Sequence, residues 1–319
     1  LAQQGIEPFG VYVTSPDYLG WVQDIPALAA VCRAQGVSLL VDNAHGAYLR
    51  FLPQNCHPIA QGAAMCCDSA HKTLPVVTGG AYLHLAHDAP VQDEAAVRGA
   101  LALFGSTSPS YLILQSLDAC NAVLAGDYPR RLAQCCAALE GLRRSLNKAA
   151  AVRQCPVPLA VAGTQQEPMK LTLDAAALGC TGTALAESLR RAQMECEYAD
   201  PRYVVLMFTT ENPPQDYTRL QAALEQLLAA VPAGLPRPEN RAGEFAALQQ
   251  QAVQRCTIRQ AVLGAQVRVP VYKALGRVCA MPTVSCPPAI PVAVSGEEIT
   301  PAAIALMQRY GIEELSVLR

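Results

Sequence analysis

This chain of 319 residues has no excess of either charge: 24 Lys and Arg stand against 26 Asp and Glu, a formal net charge of -2. That balance excludes the basic footprint of a nucleic-acid binder and the acidic run of a solvating tail. Charged residues are scarce, 16% of the chain against 51% hydrophobic ones, which predicts a sizeable buried core. An unbroken run of about 18 apolar residues, the length a membrane helix needs, is missing. Residues 99–117 come nearest and are broken by Ser106, Ser108, Pro109 and Gln115. No basic-then-apolar leader opens the chain, and its first residue is Leu1 rather than Met. The thirteen cysteines include no C-x-x-C pair, only the doublets Cys66-Cys67 and Cys135-Cys136. An odd count in a long, leaderless chain is unlike a disulfide scaffold, so the cysteines read as small buried hydrophobes of a reducing cytosol. A cytoplasmic location is the matching expectation.

From residue 1 to about 120, short apolar runs alternate with helical patterns. Strands are predicted at Val11–Thr14, Ser38–Asp42, Ala63–Cys67 and Gly80–Leu85, with a helix over Ile25–Gln35 stopped by Gly36. Continuous apolar strands separated by helices point to an α/β fold whose sheet is buried on both faces. Ser108-Pro109 reads as a helix start leading to about Asn121, followed by a long helix over Asp127–Asn147. Strands at Lys170–Leu173 and Tyr203–Phe208, with helices over Ala184–Gln193 and Asp216–Ala230, suggest a smaller α/β domain. Three prolines and two glycines make Val231–Gly243 the best linker. The expected division is 1–150, 151–235 and 236–319.

All five histidines fall between His45 and His87. Asp42-Asn43-Ala44-His45-Gly46 and Asp68-Ser69-Ala70-His71-Lys72-Thr73 each lie just past an apolar strand, and ligands of open parallel sheets bind outside the carboxyl ends of strands. A lysine there can form a Schiff base, a carboxylate on a neighbouring strand can hold a protonated pyridine nitrogen, and small hydroxyls at a helix start can hold a phosphate. This set describes a pyridoxal 5'-phosphate (PLP) site. Other readings stay open at this point. Lys72 also reads as a solvated loop lysine, Asp42 as a turn carboxylate, and His45 and His71 as histidines bonded to backbone. Asp42, His45, His57 and His71 also admit a metal reading, although Asp-x-x-His has little specificity. The PLP reading expects no metal, and it places the Asp42 and Lys72 side chains at one cleft.

Taken together, Val41-Asp42-Asn43-Ala44-His45-Gly46 and Asp68-Ser69-Ala70-His71-Lys72-Thr73-Leu74 resemble the Orn/Lys/Arg decarboxylase family of fold-type-I PLP enzymes, most closely its compact Gram-positive-type arginine/lysine members. Val13–Gly20, Ser106-Thr107-Ser108-Pro109-Ser110-Tyr111-Leu112, Ser116–Ala119, Pro168–Thr172, Met207–Thr209 and Cys286–Pro291 with Gly296-Glu297 extend the resemblance over nearly the whole chain. It implies the C-terminal part of an aspartate-aminotransferase-like large domain over 1–150, a small α/β domain over 151–235, and a C-terminal α+β segment over 236–319. Lys72 would carry PLP, Asp42 would pair with its pyridine nitrogen, Ser69 and His71 would sit at its phosphate, and His45 near its phenolic oxygen. Ser106, Thr107 and Ser108 would reach the phosphate of a partner subunit, implying a homodimer or higher homo-oligomer with shared sites. The implied reaction is decarboxylation of arginine, lysine or ornithine to the polyamine-type amine, with Lys72 and His45 as catalytic residues.

The sequence also departs from the family. Cys286, Ala289 and Ser295 replace the family's usual Tyr, Gly and Pro near the substrate entrance, and Met281 stands where an acidic residue is common. The family's N-terminal part of the cofactor domain, with its phosphate-binding turn and ring-stacking residue, has no counterpart in residues 1–20. The chain is therefore expected to be truncated and impaired alone. Alternatives are another fold-type-I enzyme, either an aminotransferase or an α-oxoamine synthase, or a non-catalytic homologue.

Overall fold

The computed structural model describes residues 7–238, 248, 250–281, 283–286 and 290–319. The predicted linker therefore lies outside the described residues from 239 onward, as do Pro287, Pro288 and Ala289 of the C-terminal resemblance. The chain forms two compact units. One runs to Lys148 and adds Ala160–Thr172 and Leu206–Glu225; the other takes Ala149–Leu159, Leu173–Val205 and the chain from Gln226.

The first unit is built on four strands, β1 (Gly10–Thr14), β2 (Ser38–Asp42), β3 (Met65–Asp68) and β4 (Tyr82–Leu85), in the order β1–β2–β3–β4. β1, β2 and β3 are parallel, with Thr14 opposite Asp42 and Asp42 opposite Cys67. β4 runs antiparallel to β3, pairing Asp68 with Tyr82. The physical reason is the connection: the chain between β3 and β4 holds only the one-turn helix α2 (Ala70–Thr73), and a parallel return needs a longer crossover.

Helix α1 (Ile25–Ala34) covers one face of this sheet. The Asp24 carboxylate accepts the Ala27 N–H at 3.0 Å, and Pro26 occupies the first turn, where its missing N–H costs nothing. Gly36, in the left-handed region at φ 66°, ends the element. Ile25, Ala29 and Cys32 pack on Leu39, Val41, Ala63 and Cys66. The alternate residues face outward, with Tyr12 62% exposed and Cys67 exposed. The expectation of a sheet buried on both faces is thus corrected: the described residues cover one face only, because α1 is the only crossover helix between these strands.

Three more helices follow in sequence, α3 (Glu94–Phe104), α4 (Tyr111–Ala125) and α5 (Tyr128–Val152). α3 was not anticipated, and α4 starts later than expected: Ser110, not Ser108, is its N-cap residue. Farther along, β5 (Lys170–Asp174), β6 (Tyr198–Ala199) and β7 (Tyr203–Met207) form a sheet in the order β5–β7–β6. α6 (Gly182–Arg191) and α7 (Pro214–Ala229) match the amphipathic patterns. In the second unit Arg202 forks onto both oxygens of the buried Asp174 at 2.7–3.2 Å. There β8 (Gln266–Pro270) also pairs with the last strand, Glu314–Leu318, and both enclose a core with Val271, Cys279, Ile299, Leu306 and Met307.

The twelve cysteines whose side chains are described are all free. Cys32, Cys66, Cys120, Cys135 and Cys279 are buried as expected, whereas Cys67 and Cys180 are exposed. No helix among the described residues is long and apolar enough to cross a membrane.

Two substitutions should rank the forces that hold the first unit. Leu39→Ala, at a 2% exposed position under α1, is expected to cost about 2–5 kcal/mol. Asp24→Ala, which removes only the cap, should cost about 1 kcal/mol. Urea unfolding followed by circular dichroism checks the order; a larger loss for Asp24→Ala would contradict the packing described here.

Candidate active site

The parallel pairing of β2 and β3 brings their carboxyl ends side by side, and the two sequence blocks with the most chemistry begin there. Asp42 ends β2, and its Oδ1 accepts the Ala44 N–H at 3.0 Å. Tyr12 lies on the same face of the sheet as Asp42; partial burial and the Asp42 carboxylate push its phenol up to about 12. The chain then turns tightly, with the Gly46 N–H donating to the Asn43 carbonyl at 2.8 Å. A Cβ at Gly46 would lie 2.0 Å from Asn43 Oδ1, so only glycine fits this close approach.

This turn delivers His45, 4% exposed, to Lys72. Lys72 Nζ and His45 Nε2 are 3.2 Å apart. Burial, then the charges of Lys170 and Lys72, lower the His45 pKa to about 3, so the ring is neutral at neutral pH. A lysine ammonium can only donate, so Nε2 is the acceptor and the proton of the neutral ring sits on Nδ1. Among the described residues Nδ1 is buried without a hydrogen-bond partner.

Sequence reasoning missed the group that supports this arrangement. The Tyr18 ring meets His45 edge-on, with centroids 4.9 Å apart. Lys170, 1% exposed, donates to the carbonyls of Asp17 and Tyr18 at 2.9 and 3.2 Å and fixes the turn that carries Tyr18. Buried Glu167 accepts from the Tyr48 hydroxyl and from the Met169 N–H. Its pKa is raised by burial, against the lowering effect of Lys170. Arg143 donates to the carbonyls of Glu167, Pro168 and Lys170. The signals in the sequence were the family-like blocks Val13–Gly20 and Pro168–Thr172, which contain Tyr18 and Lys170, while Gly163-Thr164-Gln165-Gln166-Glu167 by itself reads as an exposed turn.

The other expected residues are placed as follows. Ser69 precedes α2 with its side chain making no cap bond. His71 Nδ1 donates to the Gly80 carbonyl at 3.0 Å. Ser106, Thr107 and Ser108 lie in an exposed loop between α3 and α4; among the described residues no hydrogen bond joins them to Lys72, His45 or Asp42. The four residues of the metal reading do not converge: His45 faces Lys72, His71 faces Gly80, and His57 Nε2 lies 3.1 Å from Asp68 Oδ2. His84 Nε2 reaches the same oxygen at 3.0 Å, and Asn43 Nδ2 donates to Oδ1 at 2.7 Å. Burial would raise the Asp68 pKa, but the hydrogen bonds from His57, His84 and Asn43 outweigh it and hold the carboxyl well below its usual range.

Comparisons with known proteins bear on the family and the fold. The chain is 29% identical over 309 residues to the uncharacterized protein YaaO of Bacillus subtilis (strain 168), covering 94% of this chain and 61% of that one. It is 27% identical over 298 residues to the arginine decarboxylase of the same organism, covering 91% and 59%. It thus spans about three-fifths of the length of these curated relatives. In fold it is similar to the constitutive lysine decarboxylase of E. coli, with a TM-score of 0.71 at 16% identity over 98% of this chain and 58% of that one. It is also similar to an alanine–glyoxylate aminotransferase from Nostoc sp., with a TM-score of 0.52 at 18% identity over 71% of this chain and 63% of that one. The architecture is therefore the mixed α/β fold of the aminotransferase-like enzymes. Residues 3–169 match the major domain of the Orn/Lys/Arg decarboxylases, more than half of the chain, and on that ground the chain belongs to the Orn/Lys/Arg decarboxylase family.

Proposed function

We propose that this chain is the lysine-bearing part of a PLP-dependent enzyme that decarboxylates a basic amino acid, arginine or lysine before ornithine. The observation that carries the proposal is the Lys72 amine beside neutral His45, past the carboxyl ends of two adjacent parallel strands. The residues suit the cofactor. The buried N–H at His45 Nδ1 lacks an acceptor, and a phenolic oxygen would supply one. Asp42, at the neighbouring strand end, has the charge to keep a pyridine nitrogen protonated. The Ser69 hydroxyl offers a donor to a phosphate; His71, whose Nδ1–H is given to the Gly80 carbonyl, would donate from Nε2 only as the imidazolium.

When bound, PLP supplies an electron sink for the pair left on the substrate Cα as carbon dioxide departs. Lys72 would hold the cofactor, and its Nζ would carry the proton that replaces the carboxylate on Cα. Neutral His45 steers Lys72 by accepting its hydrogen bond without adding a competing positive charge. Tyr18 and Lys170 fix His45 from the other side. The proposal includes a homodimer in which Ser106, Thr107 and Ser108 serve the partner's phosphate. Their loop is exposed and flanked by Phe104 and Tyr111, 93% and 87% exposed, as an interface would require. A cytoplasmic location goes with this reading. The division into 1–150, 151–235 and 236–319 is retained as a proposal for how family segments map on the chain.

Release of labelled carbon dioxide from carboxyl-labelled arginine, lysine and ornithine, assayed on the full-length parent protein, tests the reaction. Lys72→Ala should reduce release by several orders of magnitude and abolish the visible absorbance of bound PLP. Turnover that needs a keto acid and releases no carbon dioxide would overturn the proposal.

The protonation of His45 gives a separate check. With its folded pKa near 3 and its unfolded value near 6.5, both states are neutral above pH 6.5 and His45 adds no pH dependence there. Between these values only the unfolded chain binds the proton, so stability falls with falling pH by up to about 1.4 kcal/mol per unit. Denaturant titrations at pH 7.0 and 5.5 should show a larger loss for the wild type than for His45→Gln. Equal losses would mean that His45 is not held neutral.

A further inference from the structure

On the α1 side of the sheet, three side chains from separate segments point at one place. His57 sits just before a 3-10 turn at Pro58–Gln61, Asp68 ends β3, and His84 lies on β4. Their Nε2, Oδ2 and Nε2 atoms lie within 4.8 Å of one another. Both imidazoles address the same oxygen, at 3.1 and 3.0 Å, while the other oxygen is occupied by the Asn43 amide. The two rings stand nearly perpendicular, at 82°, with centroids 5.0 Å apart, so their Nε2 atoms approach Asp68 from different directions. All three residues line one cavity of about 610 Å³.

We propose that His57, Asp68 and His84 form a binding site for a divalent first-row cation, zinc being the preferred ion, with its fourth position open to the cavity. The spacing is the first reason. Ligand atoms about 2.0 Å from a tetrahedral ion stand about 3.3 Å apart, a few tenths of an ångström from the two histidine–Asp68 distances, and an ion enters as each neutral ring moves its Nε2 proton to Nδ1, which frees the Nε2 lone pair. The donor set is the second: two imidazole nitrogens and one carboxylate oxygen are the borderline ligands zinc takes where one position is left for water or substrate. The third is the support, since Asn43 leaves only Oδ2 of Asp68 to face the rings, as outer partners of ligating carboxylates do. Cys66 Sγ lies 3.7 Å from His57 Nε2. Its other contact, at 3.9 Å, is to Asp68 Oδ1, the oxygen held by Asn43 and not the one that faces the rings, so the site uses three protein ligands and not the thiol.

The test is zinc binding to the chelator-treated full chain by calorimetry, with cobalt(II) as a spectroscopic substitute. The wild type should take up one ion at this site and give the visible bands of four-coordinate cobalt without a thiolate charge-transfer band. His84→Ala, whose side chain is 38% exposed and tolerates loss, should lower the affinity by at least about tenfold, and Asn43→Asp by less. Cys66→Ser should leave it unchanged. No zinc uptake by the wild type, or equal uptake by His84→Ala, would overturn the site. A thiolate band lost in Cys66→Ser would overturn the three-ligand assignment. These readouts do not depend on PLP or on decarboxylation, so their failure leaves the proposed reaction standing.

Discussion

Side-by-side parallel pairing of β2 and β3 is the constraint from which the geometry of the candidate site follows. Opposition of Asp42 and Cys67 places the end of one strand next to the end of the other, and everything past those ends is forced into one neighbourhood. The tight turn at Gly46 then decides which residue of the first block arrives, and α2 decides which of the second. His45 and Lys72 meet because both strands stop at the same level. A shift of one residue in the pairing would send alternate side chains to the opposite face.

The same pairing divides polar chemistry between the two faces of the sheet. Asp42 and Tyr12 lie on the open face, whereas Cys66 and Asp68 face α1 and the cavity. A strand of period two thereby separates two clusters only a few residues apart in sequence. Around His45, buried charges do the positioning. Lys170 is tied to backbone carbonyls, and Glu167 accepts from Tyr48 and Met169. Such groups are costly to bury unless satisfied. The bonds from Lys170 to the Asp17 and Tyr18 carbonyls hold the turn that sets Tyr18 against the ring of His45.

Much of the first unit was legible in the sequence. The strand runs at Ser38–Asp42 and Val11–Thr14, the cap at Asp24 and the stop at Gly36 are local signals, and local signals survive folding. The resemblance of the Asp42 and Lys72 blocks to one family agrees with the match of residues 3–169. Legibility failed where partners are distant in the chain. α3 carries no buried residue, so its pattern was weak. The exposed outer face of the sheet could not be inferred from apolar strand runs, because the same residues serve a sheet covered on both sides.

The sequence by itself determined the fold class, the family and the identity of Lys72, Asp42 and His45 as the residues to watch, since each depends on local pattern and residue type. Only the tertiary structure decided that β4 turns back antiparallel, that Lys170 and Tyr18 support His45, and that His57, Asp68 and His84 share one oxygen. Those outcomes join segments 11 to more than 150 residues apart. No local rule specifies such contacts, which arise when strand register and buried polar satisfaction are solved together.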